Sequence, residues 1–115
     1  MGTLEKRLES RFCNWCKDKG VITVKGPSML AKGFPDRIVI LPNGAGTLYV
    51  EFKGDLYYGL TQLQEWWQRQ LVYSAPRRHY VVDTDEKLEA LKDVCCKLID
   101  AGQRYAHLDE EVLGA

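Results

Sequence analysis

The stretch Gly33-Phe34-Pro35-Asp36-Arg37-Ile38-Val39-Ile40-Leu41, with the turn Pro42-Asn43-Gly44-Ala45-Gly46 and the run Thr47-Leu48-Tyr49-Val50-Glu51-Phe52-Lys53, decides the fold. Arg37 to Leu41 is β-branched and apolar on both faces, which predicts a strand near the middle of a covered sheet. Thr47 to Phe52 predicts a second strand, and the short connection makes an antiparallel hairpin the natural pairing. Strand side chains alternate, so Glu51 and Lys53 share one face while Phe52 takes the other. The hairpin then brings Asp36, at the start of one strand, beside Glu51 and Lys53 at the end of the other.

Outward from the hairpin, Thr3 to Lys19 carries Leu4, Leu8, Phe12, Trp15 and Cys16 at helical spacing, with Thr3 as N-cap and Lys19-Gly20 as the stop. Val21 to Lys25 is a short β-branched run, and Gly26-Pro27-Ser28 opens a loop reaching Gly33. After a polar and aromatic loop from Gly54 to Gly59, Thr61 caps a helix whose apolar stripe is Leu60, Leu63, Trp67, Leu71 and Val72, ending at Ser74-Ala75-Pro76. Arg77 to Val82 predicts a last strand, and Asp85 to Ala101 a last helix with Gly102 as its stop. Residues 103–115 are weakly patterned and acidic, an arm or a frayed tail on a core spanning about residues 4–102. The order is helix, three strands, helix, strand, helix: an α/β domain with a mixed sheet flanked by helices.

At 115 residues the chain is one domain, and a 45% hydrophobic share with three Trp, six Tyr and three Phe supplies a core. Sixteen basic and sixteen acidic residues balance to zero, which argues against a strong non-specific nucleic-acid binder. It leaves room for a local groove, because nearby charges set the field at a site. Met1 to Arg7 is polar with no apolar stretch behind it, and no run approaches a membrane span, so an intracellular, cytoplasmic location is expected and no membrane partner.

Cys13-Asn14-Trp15-Cys16 has the spacing of a redox or zinc motif, but it falls inside a helix, and adjacent Cys95 and Cys96 point in different directions on another. Four converging thiolates are awkward to build from that arrangement, so buried free thiols are expected.

A Pro-Asp dipeptide alone is ordinary turn chemistry, and Glu-x-Lys alone is ordinarily an exposed pair. Their conjunction carries more. A carboxylate at the end of a buried strand costs desolvation unless a cation offsets it. Lys53 as a plain salt-bridge partner is one answer. The other is a hard divalent cation held by Asp36 and Glu51 with an ammonium group beside it, a combination suited to metal-assisted phosphodiester cleavage.

The Gly33 to Leu41 run, the Gly44 turn and Val50-Glu51-Phe52-Lys53 resemble the PD-(D/E)xK nuclease superfamily, and more narrowly its VRR-NUC branch of virus-type replication-repair nucleases. Leu4-Glu5-Lys6-Arg7-Leu8 and Leu60-Thr61-Gln62-Leu63-Gln64 match the branch's glutamate-bearing first helix and glutamine-bearing second helix, so the resemblance covers about residues 4–83. It implies a restriction-endonuclease-like core and a DNA endonuclease dependent on Mg²⁺ or Mn²⁺. Asp36, Glu51 and the Phe52 backbone carbonyl would be the metal ligands. Lys53 would orient or help deprotonate the attacking water. Glu5 would hold a metal-bound water or a second ion, with Glu9 one helical turn on as its competitor. Gln64 would position Lys53 or the phosphate, with Gln62 as its competitor. The resemblance also implies a homodimer acting on branched DNA such as four-way junctions.

Lys25, Lys32, Arg37, Arg69, Arg77 and Arg78 are the candidate phosphate contacts, Lys32 first among them because it leads into the strand bearing Asp36. Trp66, beside the inward-facing Trp67, is expected partly buried in the core; exposed, it would suit stacking or a dimer contact. Three other readings stay open: a non-catalytic nucleic-acid-binding domain of the same fold, a nuclease acting on flaps or RNA, and a redox or zinc protein built on Cys13 and Cys16.

Overall fold

The structure is a computed structural model; it describes residues 3–27, 29–54, 59–74 and 78–113, with side chains described as far as residue 102. The elements follow the expected order: α1 (Leu4–Asp18), β1 (Ile22–Lys25), β2 (Arg37–Leu41), β3 (Gly46–Phe52), α2 (Gln62–Ser74), β4 (His79–Val82) and α3 (Asp85–Leu113). They form an α/β fold around one four-stranded sheet in the order β1-β2-β3-β4. The first two pairings are antiparallel and β3 pairs parallel to β4, so the sheet is mixed.

The period-2 alternation of β3 divides its residues between two environments. Leu48, Val50 and Phe52 point to one face with Val39 and Leu41 of β2, and there they meet Leu8, Phe12 and Cys16 of α1 and Leu88, Leu91 and Cys95 of α3. Each large side chain buried in this layer stabilises the fold by about 1.5–3 kcal/mol. The Phe12 ring tilts against Phe52 with centroids 6.0 Å apart, fixing α1 over the end of β3. Thr3 Oγ1 accepts from Lys6 N at 3.2 Å as the N-cap of α1.

The opposite sheet face departs from expectation. β2 does lie inside the sheet, yet its outer face is open: Ile40 is exposed, as are Ile22 and Val24 beside it on β1. α2 is the element on this side, and it packs towards β4, where Gln68 Nε2 meets His79 Nδ1 at 3.4 Å. Its expected stripe is consequently shallow, with Leu63 and Val72 exposed and no α2 residue fully buried. Strand composition records that a face is apolar, but among the described residues no element covers Ile22, Val24 and Ile40 fully.

Gly102 does not stop the last helix. α3 runs 29 residues to Leu113, so residues 103–113, read as an arm or tail, are helical. At 1.5 Å per residue the helix is roughly 43 Å long, in keeping with the 49 Å long axis of the molecule. A glycine inside a helix costs only about 1 kcal/mol. Here its small size is used, because a Cβ on Gly102 would lie 2.8 Å from Asn43 O at the β2–β3 turn. Among the described residues no helix is long and apolar enough to cross a membrane.

Candidate active site

Asp36 is placed by the hairpin register. Arg37 stands opposite Val50, so Asp36, one residue earlier, falls beside Glu51, and its Oδ2 accepts from Phe52 N at 2.7 Å. The preceding loop is keyed in place by Gly33, whose φ is +87° and whose added Cβ would lie 2.6 Å from Leu63 Cβ on α2. Phe34 packs edge-on to Trp67 with centroids 4.9 Å apart, and Trp67 Nε1 donates to Lys32 O at 3.1 Å.

Glu51 is the buried charged residue among those described, at 4% exposure. Burial, then the neighbouring Asp36 charge, pushes its carboxyl up to about 8, against the pull of Lys53. Asp36 is also raised, by burial first, although the Phe52 N–H and the Glu51 hydrogen bond oppose this. Two bare carboxylates this close and this dry repel, so each raises the cost of ionising the other.

The lysine joins the pair through a glutamine. Gln64 Nε2 donates to Glu51 Oε1 at 3.0 Å, and Gln64 Oε1 accepts from Lys53 Nζ at 2.9 Å. The same oxygen accepts from Thr61 N at 2.9 Å, while Thr61 Oγ1 accepts from Gln64 N at 3.2 Å. Thr61 and Gln64 thus form a reciprocal capping box at the start of α2. The amide orientation is forced chemically, since two donors face its oxygen and a carboxyl oxygen faces its nitrogen. Gln62, the competing residue, is exposed. The Thr-x-x-Gln spacing was the signal that distinguishes the two, and it makes Thr61 part of the site as well as a cap.

On α1, the two candidate acids divide. Glu5 lies against the chain just after Lys53, where a Cβ on Gly54 would be 3.5 Å from Glu5 Cβ. Its carboxyl is raised by burial and then by Asp36, with Lys53 opposing. Glu9 instead accepts from Arg37 Nε at 2.7 Å in a half-buried ion pair. Arg37, read as a phosphate contact, is therefore held by Glu9 and braces α1 against β2.

The other basic candidates spread out. Lys25, Lys32 and Arg69 are exposed. Arg78 Nη1 donates to Ala45 O at 2.9 Å, tying the β2–β3 turn to β4. Arg77 lies outside the described residues. Beyond Gly54 the surface turns acidic: a cavity of about 500 Å³ there is lined by Asp83, Asp85 and Glu86, with Arg7 held by Asp85. Asp85 also pairs with Arg11 and Asp83 with Lys87, so cations balance the acids on that side. Trp66 is 45% exposed and edge-on to Trp67, short of the core position expected for it.

The cysteines are free thiols. Cys16 and Cys95 are core residues whose thiols burial pushes up to about 12, so both behave as small apolar groups. Cys13 is half-buried and accepts from Thr23 Oγ1 at 3.7 Å, and Cys96 is exposed.

Among the described residues no three His, Cys, Asp or Glu side chains are grouped to hold a metal ion. The carboxylates at hand are Asp36 and Glu51, which the hairpin register places side by side. That set fits Mg²⁺ or Mn²⁺, which keep several waters and need only one or two carboxylates with substrate phosphate. The buried pair fits too, since a divalent cation would offset the repulsion between its two carboxylates. No protein-family model, curated protein or solved structure matches the chain.

Proposed function

We propose that the chain is a metal-dependent DNA endonuclease of the VRR-NUC type, within the PD-(D/E)xK superfamily and with its restriction-endonuclease-like core. The observation that carries this reading is one glutamine amide bonding a buried carboxyl and a lysine at once, Gln64 to Glu51 at 3.0 Å and to Lys53 at 2.9 Å. An ordinary salt bridge needs no such intermediary, and a buried acid pair with no cation carries a desolvation cost. Asp36, Glu51 and the Phe52 carbonyl would hold Mg²⁺ or Mn²⁺, which supplies a more acidic water and charge neutralisation at the phosphodiester.

This chain's own groups do the rest. The Phe52 N–H keeps Asp36 turned to the site. Gln64 restrains the Lys53 side chain, so the ammonium is preorganised to orient the attacking water and offset charge on the phosphorane. Glu5 faces Lys53 and Asp36 and accepts a proton or a water's hydrogen bond from across the site. Lys25, Lys32 and Arg69 would contact phosphates without reading sequence.

The proposed substrate is branched DNA such as a four-way junction, cut inside the cell by a homodimer. Cuts on symmetry-related strands need two sites on a two-fold axis. The open apolar face of Ile22, Val24 and Ile40 supports a second copy as the element that covers the sheet. A panel of labelled junction, flap and duplex DNAs, incubated with Mg²⁺, Mn²⁺ or EDTA, tests the reading. Cleavage should need the metal and be lost in Asp36→Asn and Lys53→Ala; intact DNA with both metals, or cutting by these variants at the wild-type rate, rejects it.

A further inference from the structure

The chain between β1 and β2 forms a loop whose two ends meet at a hydrogen-bonded neck. At its neck Gly26 N donates to Asp36 O at 2.8 Å, and a Cβ on Gly26 would lie 1.8 Å from Pro35 O. Inside the loop Leu30 N and Ala31 N donate to Pro27 O at 3.0 and 2.7 Å, and Phe34 N donates to Ala31 O at 3.0 Å. From outside, α2 clamps the loop through Trp67 and through the close approach of Gly33 to Leu63. Yet the tip of this anchored loop presents two adjacent bulky apolar side chains to water, Met29 at 99% and Leu30 at 94% exposure. Neither is spent on the loop's own packing, which Phe34 and Pro35 supply.

We infer that Met29 and Leu30 form a wedge that enters the base stack at the branch point of a DNA substrate, an inference that rests on the nuclease reading above. Apolar side chains of this kind insert between base steps and partly unstack them. At a branch the strands exchange between arms, so the step there is opened at lower cost than one inside a continuous duplex. Exposed Lys25 and Lys32 stand on either side of the tip in sequence, so phosphates flanking the opened step meet positive charge. A neutral chain has little general attraction for duplex DNA, which makes a shape-dependent contact the larger part of its selectivity. A loop tied at its neck and against α2 loses less freedom on insertion than an untied one. Asp36 closes the neck of the loop, so a short segment joins the tip to the acid pair and the cut is expected at a fixed offset from the branch.

The experiment uses Met29→Ser/Leu30→Ser, a change confined to exposed side chains and checked by an unchanged melting temperature. The first arm compares cleavage of a four-way junction with that of a linear duplex. The second measures 2-aminopurine fluorescence at the branch when Asp36→Asn protein, with or without the Ser pair, binds uncut junction. A wedge predicts that the junction-to-duplex rate ratio falls by about tenfold or more, and that the fluorescence rise on binding is lost with the Ser pair. A ratio unchanged within twofold and an unchanged fluorescence rise overturn the wedge while leaving the nuclease reading intact. If wild type cuts nothing but binding still brightens 2-aminopurine through Met29 and Leu30, the nuclease reading falls and the wedge stands. If the Ser pair converts a dimer to a monomer in solution without altering the fluorescence, the tip is a self-association contact and the wedge is overturned.

Discussion

Gln64 donates to Glu51 at 3.0 Å from one end of the amide whose other end accepts from Lys53 at 2.9 Å. The residue also closes the capping box of α2, so helix formation and lysine placement depend on one side chain. These two jobs can be separated by mutation. Gln64→Glu keeps an acceptor for Thr61 N and remains a good capping-box residue, but replaces the donor to Glu51 with a third carboxyl. Its thermal stability should stay near wild type while kcat for DNA cleavage drops by about 10²-fold, the usual scale for losing one preorganised electrostatic contact. Loss of stability without loss of kcat would reduce Gln64 to a cap.

Thr61 acts through Gln64. Thr61→Ala should cost about 1 kcal/mol in denaturant unfolding, the ordinary price of an N-cap, and should lower kcat because the Gln64 backbone loses its 3.2 Å anchor. Thr61→Ser retains the hydroxyl and should restore both. A Ser variant as slow as the Ala variant would show that the methyl group, not the hydrogen bond, is what matters.

The acid pair makes the metal-free protein sensitive to pH. The Glu51 carboxyl is raised from the usual 4.5 to about 8, so between those values the native state holds a proton that the unfolded chain has released. Its contribution is fully present below about 4.5 and is lost as pH rises through about 8. Melting temperature in EDTA should therefore fall between pH 5 and 9 more steeply for wild type than for Glu51→Gln, which cannot ionise. Mg²⁺ or Mn²⁺ should stabilise wild type most at the alkaline end. Parallel pH curves for the two proteins would remove the buried acid from the account.

Gly33 links the loop bearing Asp36 to the helix bearing Gln64. Its φ of +87° and the 2.6 Å approach of an added Cβ to Leu63 Cβ make Gly33→Ala a strained change. Unfolding free energy should fall by about 1–3 kcal/mol, and cleavage should fall further than Thr61→Ala alone, because both partners are displaced. A variant with wild-type stability would mean that α2 yields freely at its first turn.

Much of this site was legible because it is local. Alternation along β3 dictates that Glu51 and Lys53 share a face opposite Phe52, and a short turn between two apolar strands dictates that Asp36 returns beside them. The Thr-x-x-Gln spacing dictates the cap. By itself, then, the sequence determined the element order, the hairpin and the meeting of the acid pair with the lysine, since each follows from the backbone period over a few residues. Only the tertiary structure decided that Glu9 pairs with Arg37 while Glu5 faces the lysine, because that depends on how α1 is rotated by Leu8 and Phe12 in the core. It likewise decided that α3 runs through Gly102, where the β2–β3 turn approaches, and that the outer face of β1 and β2 stays open. Periodicity says which side of an element is apolar; what lies against that side is fixed by long-range packing.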